Sequence, residues 1–217
     1  MINPLKSKPG RFIRVLSLSL ILFSSLATAG DFEDALLTIQ QEWAIAQYQT
    51  PEDEQTRAFE ELADKTEAYV SNHPGRAEPL IWQGIVFSTW AGAKGGLGAL
   101  GLVKDARASL EGALKIDPAA LEGSAYTSLG SLYYQVPGWP LSFGDDEKAE
   151  DYLKKALVLN PDGIDPNYFF GDFLHEQGKS EQARQYLIHA LEAAPRPGRE
   201  LADAGRRREV QQVLNTF

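Results

Sequence analysis

Three residues with acid–base and metal-binding chemistry lie close together in the last third of the chain. Asp172, His175 and Glu176 are spaced at i, i+3 and i+4, which places their side chains on one face of a helix. Two carboxylates and an imidazole on one face could hold a metal ion or share a proton. A solvated polar helix face gives the same spacing and is far commoner. We therefore predict no bound metal and no cofactor.

A second motif with known chemistry is the glycine-rich run 96–101, which matches G-x-G-x-x-G. Dinucleotide binding needs a strand before such a run and a helix after it, within a βαβ unit. Here a helical pattern, 81–90, precedes the run, and no parallel sheet is predicted. No serine or histidine stands in a nucleophile motif such as G-x-S-x-G. We predict that the protein is not an enzyme.

The elements that position these residues are predicted to be helices. Apolar residues return every three or four positions from Asp31 onward, as in Phe32, Leu36, Ile39 and Trp43. No segment alternates like a strand between hairpin turns. A capping Thr50, a first-turn proline and first-turn acids predict a helix start at 50–53. The pattern indicates about nine helices and an all-α fold.

One skeleton of alanine, leucine, alanine and proline occurs three times with identical spacing. It is spelled by residues 106, 110, 113 and 118, by residues 149, 153, 156 and 161, and by residues 183, 187, 190 and 195. Upstream of each copy a glycine, Gly84, Gly130 or Gly171, lies in an aromatic-rich helical stretch. A recurring unit of this length predicts stacked helix pairs, which present a binding surface.

The skeleton resembles the tetratricopeptide repeat (TPR) family. In the last copy Gly171, Ala183, Leu187, Ala190 and Pro195 stand at the family spacing, and Pro161 to Pro195 is 34 residues, the family period. The resemblance implies an α-solenoid of TPR-like helix pairs with an N-terminal helical pair and a C-terminal capping helix. On that cap we expect Leu201, Ala204, Val210 and Leu214 to face inward and the arginines at 206–208 to face solvent.

Two of the three copies are interrupted between their helices. The glycine and the first alanine are 22 residues apart in the first copy and 19 in the second, against 12 in the last. The insertions are 91–101 and 136–144, and both project from the same edge of the stack. In the second insertion Trp139 and Phe143 could wall a ligand pocket or fold back to fill the space that the insertion opens. We favour the second interpretation.

A narrower resemblance rests on the sequence around the second insertion. The run 136–140, the residues 143–145 and the run 160–165 are similar to the T-component proteins of tripartite ATP-independent periplasmic (TRAP) transporters. This resemblance covers roughly residues 80–217. It implies a non-enzymatic accessory that docks a periplasmic solute-binding protein and shares a small ligand with it. A general cell-envelope scaffold is the alternative.

The first 29 residues read as a secretory signal peptide. Lys6, Lys8, Arg11 and Arg14 precede a short apolar run, 15–26, and Ala27-Thr28-Ala29 ends it. We predict cleavage after Ala29 and a periplasmic protein without a stable membrane span; retention of the segment as an anchor is the alternative. Because four basic residues leave and no acidic residue does, the net charge falls from −9 to −13. That charge disfavours nucleic acid and anionic membranes. The absence of cysteine excludes disulfides.

These observations give a domain plan and a set of candidate binding residues. We predict a signal peptide at 1–29, an N-terminal helical pair at 30–76, three repeats with two insertions at 77–197 and a capping helix at 198–217. The first helices of the pairs should line a concave face without lysine or arginine, which excludes a grip on a peptide carboxylate. Its acidic end suits a cationic or hydroxyl-rich ligand or a basic patch of a partner. The candidate binding residues are Trp90, Lys94, Tyr134, Trp139, Phe143, Asp165, Tyr168, Asp172, His175 and Glu176.

Overall fold

A computed structural model of the protein describes the backbone from Ile21 to Phe217 and the side chains from Gly30. The predicted signal peptide therefore lies outside the residues whose side chains are described. The chain divides into two compact units, Met1–Ala35 and Leu36–Phe217. The contacts between helices that are described all lie within the second unit.

The described residues contain nine α-helices and one short 3₁₀ turn. They are α1 (Ile21–Tyr48), α2 (Glu52–Asn72), α3 (Ala77–Lys94), a 3₁₀ turn (Leu97–Ala99), α4 (Leu100–Ile116), α5 (Ala120–Gln135), α6 (Asp146–Leu159), α7 (Ile164–Glu176), α8 (Ser180–Glu192) and α9 (Glu200–Leu214). No strand occurs in this part of the chain, where one isolated bridge joins Gly138 and Gly144. The predicted all-α class is confirmed.

Three consecutive helix pairs form the body of the fold: α3 with α4, α5 with α6, and α7 with α8. The first helices of the pairs also contact one another, α3 to α5, α5 to α7 and α7 to α9. They form an inner layer, and α4, α6 and α8 form an outer layer. The predicted α-solenoid of stacked pairs is confirmed.

The repeated skeleton marks the contact between the two helices of each pair. The alanines and leucines at 106, 110, 113, 149, 153, 156, 183, 187 and 190 are all 0 % exposed. A Cβ added at Gly84, Gly130 or Gly171 would lie 2.5, 2.5 or 2.8 Å from the Cγ of Leu110, Leu153 or Leu187. The glycine therefore lets the backbones approach until the leucine packs on bare main chain, as the spacing predicts.

The start of α2 differs in detail from the sequence expectation. The helix begins at Glu52 with Pro51 at its cap and Glu52, Asp53 and Glu54 in its first turn, where acids favour the helix dipole. No side chain caps it. The Thr50 hydroxyl donates back to the Ile45 carbonyl of α1 instead, at 3.2 Å. The expectation of a capping threonine is therefore wrong, because the hydroxyl completes the end of the preceding helix.

Candidate functional site

The acidic end of the inner layer is occupied by arginines from the C-terminal segment. Asp165, in the first turn of α7, accepts hydrogen bonds from Arg196 Nη1 at 2.6 Å and from Arg206 Nε at 2.8 Å. Burial by itself would raise the pKa of Asp165, but the two guanidiniums outweigh it and hold the pKa well below its ordinary value. This candidate binding residue is thus engaged within the chain.

Two further carboxylates complete the arrangement. Asp203 accepts from Arg196 through both the guanidinium, at 2.7 Å from Nε, and the backbone N–H, at 2.9 Å. Glu209 pairs with Arg206 Nη1 one turn along α9. Each of the two arginines is therefore shared between carboxylates, the arrangement in which a buried ion pair best offsets its desolvation.

The residues that α9 buries against its neighbours differ from those expected. Arg206 is only 8 % exposed, whereas Ala204 is exposed and Leu201 and Leu214 are half-buried. Of the four apolar residues expected to face inward, Val210 is fully buried, and Leu214 packs against the core cluster that contains it. The expectation of a solvent-facing 206–208 run is wrong for Arg206, because Asp165 and Glu209 supply the partners that let it be buried.

The inner layer is also contacted by the C-terminal half of α1. Trp43 Nε1 donates to Thr89 Oγ1 of α3 at 3.2 Å, and the Trp43 ring meets the Trp82 ring edge-on at 6.0 Å between centroids. One turn later, the Tyr48 ring packs on Gly205 of α9. Helix α1 therefore joins the first and last helices of the inner layer.

The two aromatic candidates of the inner face, Tyr134 and Tyr168, lie close to these charged residues of α7 and α9. Tyr134 of α5 donates its hydroxyl to Asp172 Oδ2 of α7 at 2.7 Å. Burial, followed by the Asp172 charge, raises the pKa of Tyr134 well above its ordinary value, so the phenol stays a donor. The Arg206 guanidinium stacks on Tyr168 at 4.5 Å. Burial raises the pKa of Tyr168 to about 12 although Arg206 opposes it.

The three residues with potential metal chemistry have different surroundings. Asp172 is bound to Tyr134, whereas His175 Nε2 lies 3.2 Å from Thr216 Oγ1 and its ring lies 4.7 Å from the ring of Phe217. Glu176 is exposed, and partial burial together with Asp172 raises its pKa. Within residues 30–217 no group of three or more histidine, aspartate or glutamate side chains is placed to hold a metal ion.

The sequence predicted a concave face without basic residues. In the structure this inner face is contacted by three arginines. Arg196, Arg199 and Arg206, which we call the arginine cluster, reach it from the end of the last repeat and from the cap. Arg199 extends as far as Trp82 of α3, with its guanidinium carbon 5.1 Å from the ring centroid. The repeat pattern could not reveal this, because the three arginines lie in and just before the cap. The argument against carboxylate recognition considered only the repeat helices and did not include these arginines, two of which are paired with carboxylates of the chain.

The first insertion extends the two helices that it separates. Helix α3 continues to Lys94, and α4 begins at Leu100, so only a short link with the 3₁₀ turn lies between them. Lys94 Nζ lies 5.6 Å from the centroid of the half-buried Trp90, which brings these two candidates together. Leu97 at the tip is exposed. The G-x-G-x-x-G run follows a helix and not a strand.

The second insertion separates its two aromatic candidates. Phe143 folds back onto the helices, with its ring 5.3 Å from that of Tyr133 and the Arg107 guanidinium 4.3 Å from its centroid. Trp139 is 90 % exposed, and Leu141 beside it is exposed too. The interpretation of this loop as a filler of space is correct for Phe143 and wrong for Trp139, which the turn at 138–142 directs into solvent.

None of the helices in the described part of the chain is long and apolar enough to cross a bilayer.

Comparison with known proteins identifies a repeat and a fold. Residues 164–197 match the tetratricopeptide repeat family model. The chain is similar to TTC0263, a thermophilic TPR protein of Thermus thermophilus, with 18 % identity over 90 % of this chain and 97 % of that one and a TM-score of 0.55. Two structures of MamA share 18 and 19 % identity over 78 and 86 % of this chain and 97 and 90 % of theirs, with TM-scores of 0.45 and 0.44. No curated protein matches the sequence.

The fold is that of a TPR-type helical solenoid, and such folds serve protein–protein interaction. The T-component resemblance finds no support in these comparisons.

Proposed function

We propose that this protein is a non-enzymatic, periplasmic protein-binding accessory that docks its partner through the edge formed by its two insertions. The observation that carries the proposal is Trp139, a 90 % exposed tryptophan beside an exposed Leu141. Large exposed aromatics are rare on surfaces without a partner and are enriched where proteins bind one another.

The distribution of contacts supports the loop edge over the inner face. The inner face is engaged within the chain by Trp43, Tyr48 and the arginine cluster. Both insertions join the two helices of a pair, and consecutive pairs stack in register, so Leu97 and Trp139 project from one edge. A partner helix or loop can cover these side chains without displacing any buried contact.

A periplasmic solute-binding protein of a transport system is the partner that we propose first. The sequence around the second insertion supports this choice, and so does the signal-like segment 1–29. A net charge of −13 after cleavage favours a neutral or basic surface on that partner. A cell-envelope scaffold that organises other proteins is the second candidate.

Affinity capture from periplasmic extract with quantification by mass spectrometry tests the docking edge. Val158 is the matched control, because it is 82 % exposed at the end of the outer helix α6, away from the insertions. We expect Trp139→Ala to reduce the captured partner at least tenfold and Val158→Ala to leave it unchanged. Equal capture by both variants, with both folded, would contradict docking through this edge. A solute-binding protein among the lost partners would favour the transport role.

A further inference from the structure

A cavity of about 480 Å³ lies on the outer side of the last two repeats, at the opposite end of α6 from the second insertion. Its walls come from the end of α6, the α6–α7 turn and α8, and include Leu157, Pro161 and Tyr186. The backbones of α6 and α8 do not come into contact, whereas α7 packs against both helices. The gap between the two outer helices is therefore an open groove of a size that suits a small ligand.

The floor of this cavity contains a buried amide. Asn167 lines the cavity and is only 1 % exposed. Its amide nitrogen donates to the carbonyls of Pro161 and Gly163, at 2.7 and 2.8 Å, so both amide hydrogens are used. In the part of the chain that the structure describes, the amide oxygen accepts no hydrogen bond. Because buried polar atoms are nearly always satisfied, this oxygen is an acceptor for a donor in the cavity.

The rim of the cavity carries an excess of negative charge. Asp162 in the α6–α7 turn has the His189 imidazole of α8 as its partner, with 3.0 Å between Oδ1 and Nε2. The same imidazole faces Glu192, at 3.7 Å from Nδ1. Two carboxylates thus share one ring, which carries at most one positive charge. None of the described residues that line the cavity is a lysine or an arginine.

The basic residues of the two outer helices have other partners. The three lysines of α6 are each paired with a carboxylate of their own segment. Arg184 of α8 stacks on Phe217, with its guanidinium carbon 4.7 Å from the ring centroid. The chain therefore supplies no cation to the cavity, and a cationic ligand is the one that its charge favours.

We propose that this cavity binds an alkylammonium group, which is a positively charged nitrogen on a short hydrocarbon chain. The nitrogen can donate to the Asp162 carboxylate and to the Asn167 amide oxygen. Tyr186 supplies an aromatic wall, and Leu157 and Pro161 can cover the methylene groups. Free diamines and lysine side chains share this chemistry. The site is independent of docking through the insertion edge.

The imidazole of His189 reports on the cavity in the intact protein, because it lies beside Asp162. The chain has three histidines, so ¹⁵N-labelled protein gives three sets of imidazole signals, and His189→Gln assigns the set of interest. The probes are 1,5-diaminopentane and N-acetyl-lysine amide, at constant pH and ionic strength. The controls are the uncharged N-acetyl-norleucine amide and sodium chloride.

We expect both ammonium probes to shift the His189 signals in a saturable way and the two controls to leave them in place. Tighter binding of the diamine would identify a free amine as the ligand. Tighter binding of the lysine derivative would identify a side chain of another protein. Either order supports the site.

Variants at the rim connect that shift to the cavity. We expect Asp162→Asn to weaken binding of the ammonium probes by roughly threefold, because an exposed charge-assisted contact is lost. Asp151→Asn makes the same charge change on α6 outside the cavity and should bind like the unchanged protein. Gln185→Lys at the exposed wall of α8 should also weaken binding, because it brings a competing ammonium to the cavity. Circular dichroism checks that each variant is folded.

Three results would overturn the proposal. They are His189 signals that neither ammonium probe moves, a shift that a control reproduces, and equal affinity of the folded Asp162→Asn and Asp151→Asn variants. None of these results depends on Trp139, so the cavity and the docking edge can fail separately.

Discussion

The ring of Tyr48 in α1 lies against the backbone of Gly205 in α9, and no side chain fits between them. The same ring is 5.8 Å from that of Trp43, and the Arg208 guanidinium lies 5.9 Å from its centroid. Tyr48 is therefore confined on several sides. The contact joins residues 157 positions apart, as does the hydrogen bond from Gln41 Nε2 to the Gly198 carbonyl. Both tie the C-terminal half of α1 to the cap.

Gly205→Ala is expected to destabilise the protein by about 1–3 kcal/mol, because a Cβ would overlap with ring carbons of Tyr48 that cannot move away. Urea unfolding followed by circular dichroism measures the change. Gly92→Ala is the control, since Gly92 is also helical and a Cβ there meets no atom within 4 Å. Helix propensity predicts that this control gains up to about 1 kcal/mol. Equal effects of the two substitutions would contradict the confined ring.

Gly171→Ala is expected to cost about 1–3 kcal/mol, because the new Cβ would lie 2.8 Å from Leu187 Cγ and 3.2 Å from the Ala183 carbonyl oxygen. A double-mutant cycle with Leu187→Ala identifies the obstructing atom. If the leucine obstructs, the double variant is more stable than the sum of the two single changes predicts. Strict additivity would show that the backbone contact with Ala183 dominates.

The repeats could be predicted from the sequence because their information is local. Gly171, Ala183 and Leu187 lie within one helix pair, and their spacing alone predicts which side chains meet. The same holds for the two interrupted copies, since an insertion at the turn leaves the contact between the helices unchanged.

The contacts that cover the inner face could not be predicted in the same way. Arg206 meets Asp165 across 41 positions, and Tyr48 meets Gly205 across a longer separation still. Such contacts depend on how far each helix pair is rotated against the next, a quantity summed over all repeats that no local spacing reports. A run of three arginines at 206–208 consequently looks like a solvated surface, although one of them is buried.

Asp165→Asn is expected to lower stability at neutral pH by roughly 3 kcal/mol, because Arg196 and Arg206 lose a shared counterion. The pKa of Asp165 is lower in the folded than in the unfolded protein. The stabilisation from its charge is therefore present above its ordinary pKa of 3.8 and is lost as the pH falls below that value.

Urea unfolding at several pH values between neutral and strongly acidic measures that dependence. The unchanged protein should lose more stability than Asp165→Asn on acidification below about pH 4, because the asparagine cannot be protonated. Asp162→Asn, an exposed neighbour on the other side of Ile164, serves as the control. Parallel pH profiles for the unchanged protein and Asp165→Asn would contradict the role assigned to the ion pairs.

Truncation is expected to destabilise the protein at Phe143 and to have almost no effect on stability at Trp139, although both residues belong to one loop. Phe143→Ala removes contacts with Tyr133 and Arg107 and should lower the free energy of unfolding by about 2 kcal/mol. Trp139→Ala removes an exposed ring and should change it by less than about 0.5 kcal/mol. Thermal and urea unfolding measure both. A large loss for Trp139→Ala would mean that the ring packs against the molecule and is unavailable to a partner.

Export should remove residues 1–29 without affecting the packing of α1 on the inner layer. Cleavage after Ala29 leaves Trp43 and Tyr48 in place, and their contacts with Thr89 and Gly205 hold that half of the helix. Intact mass and N-terminal sequencing of protein from the periplasmic fraction should show Gly30 as the first residue. Ala29→Arg should block processing, because the cleavage site requires a small residue there. Unprocessed protein held in the membrane fraction would support retention of the segment as an anchor instead.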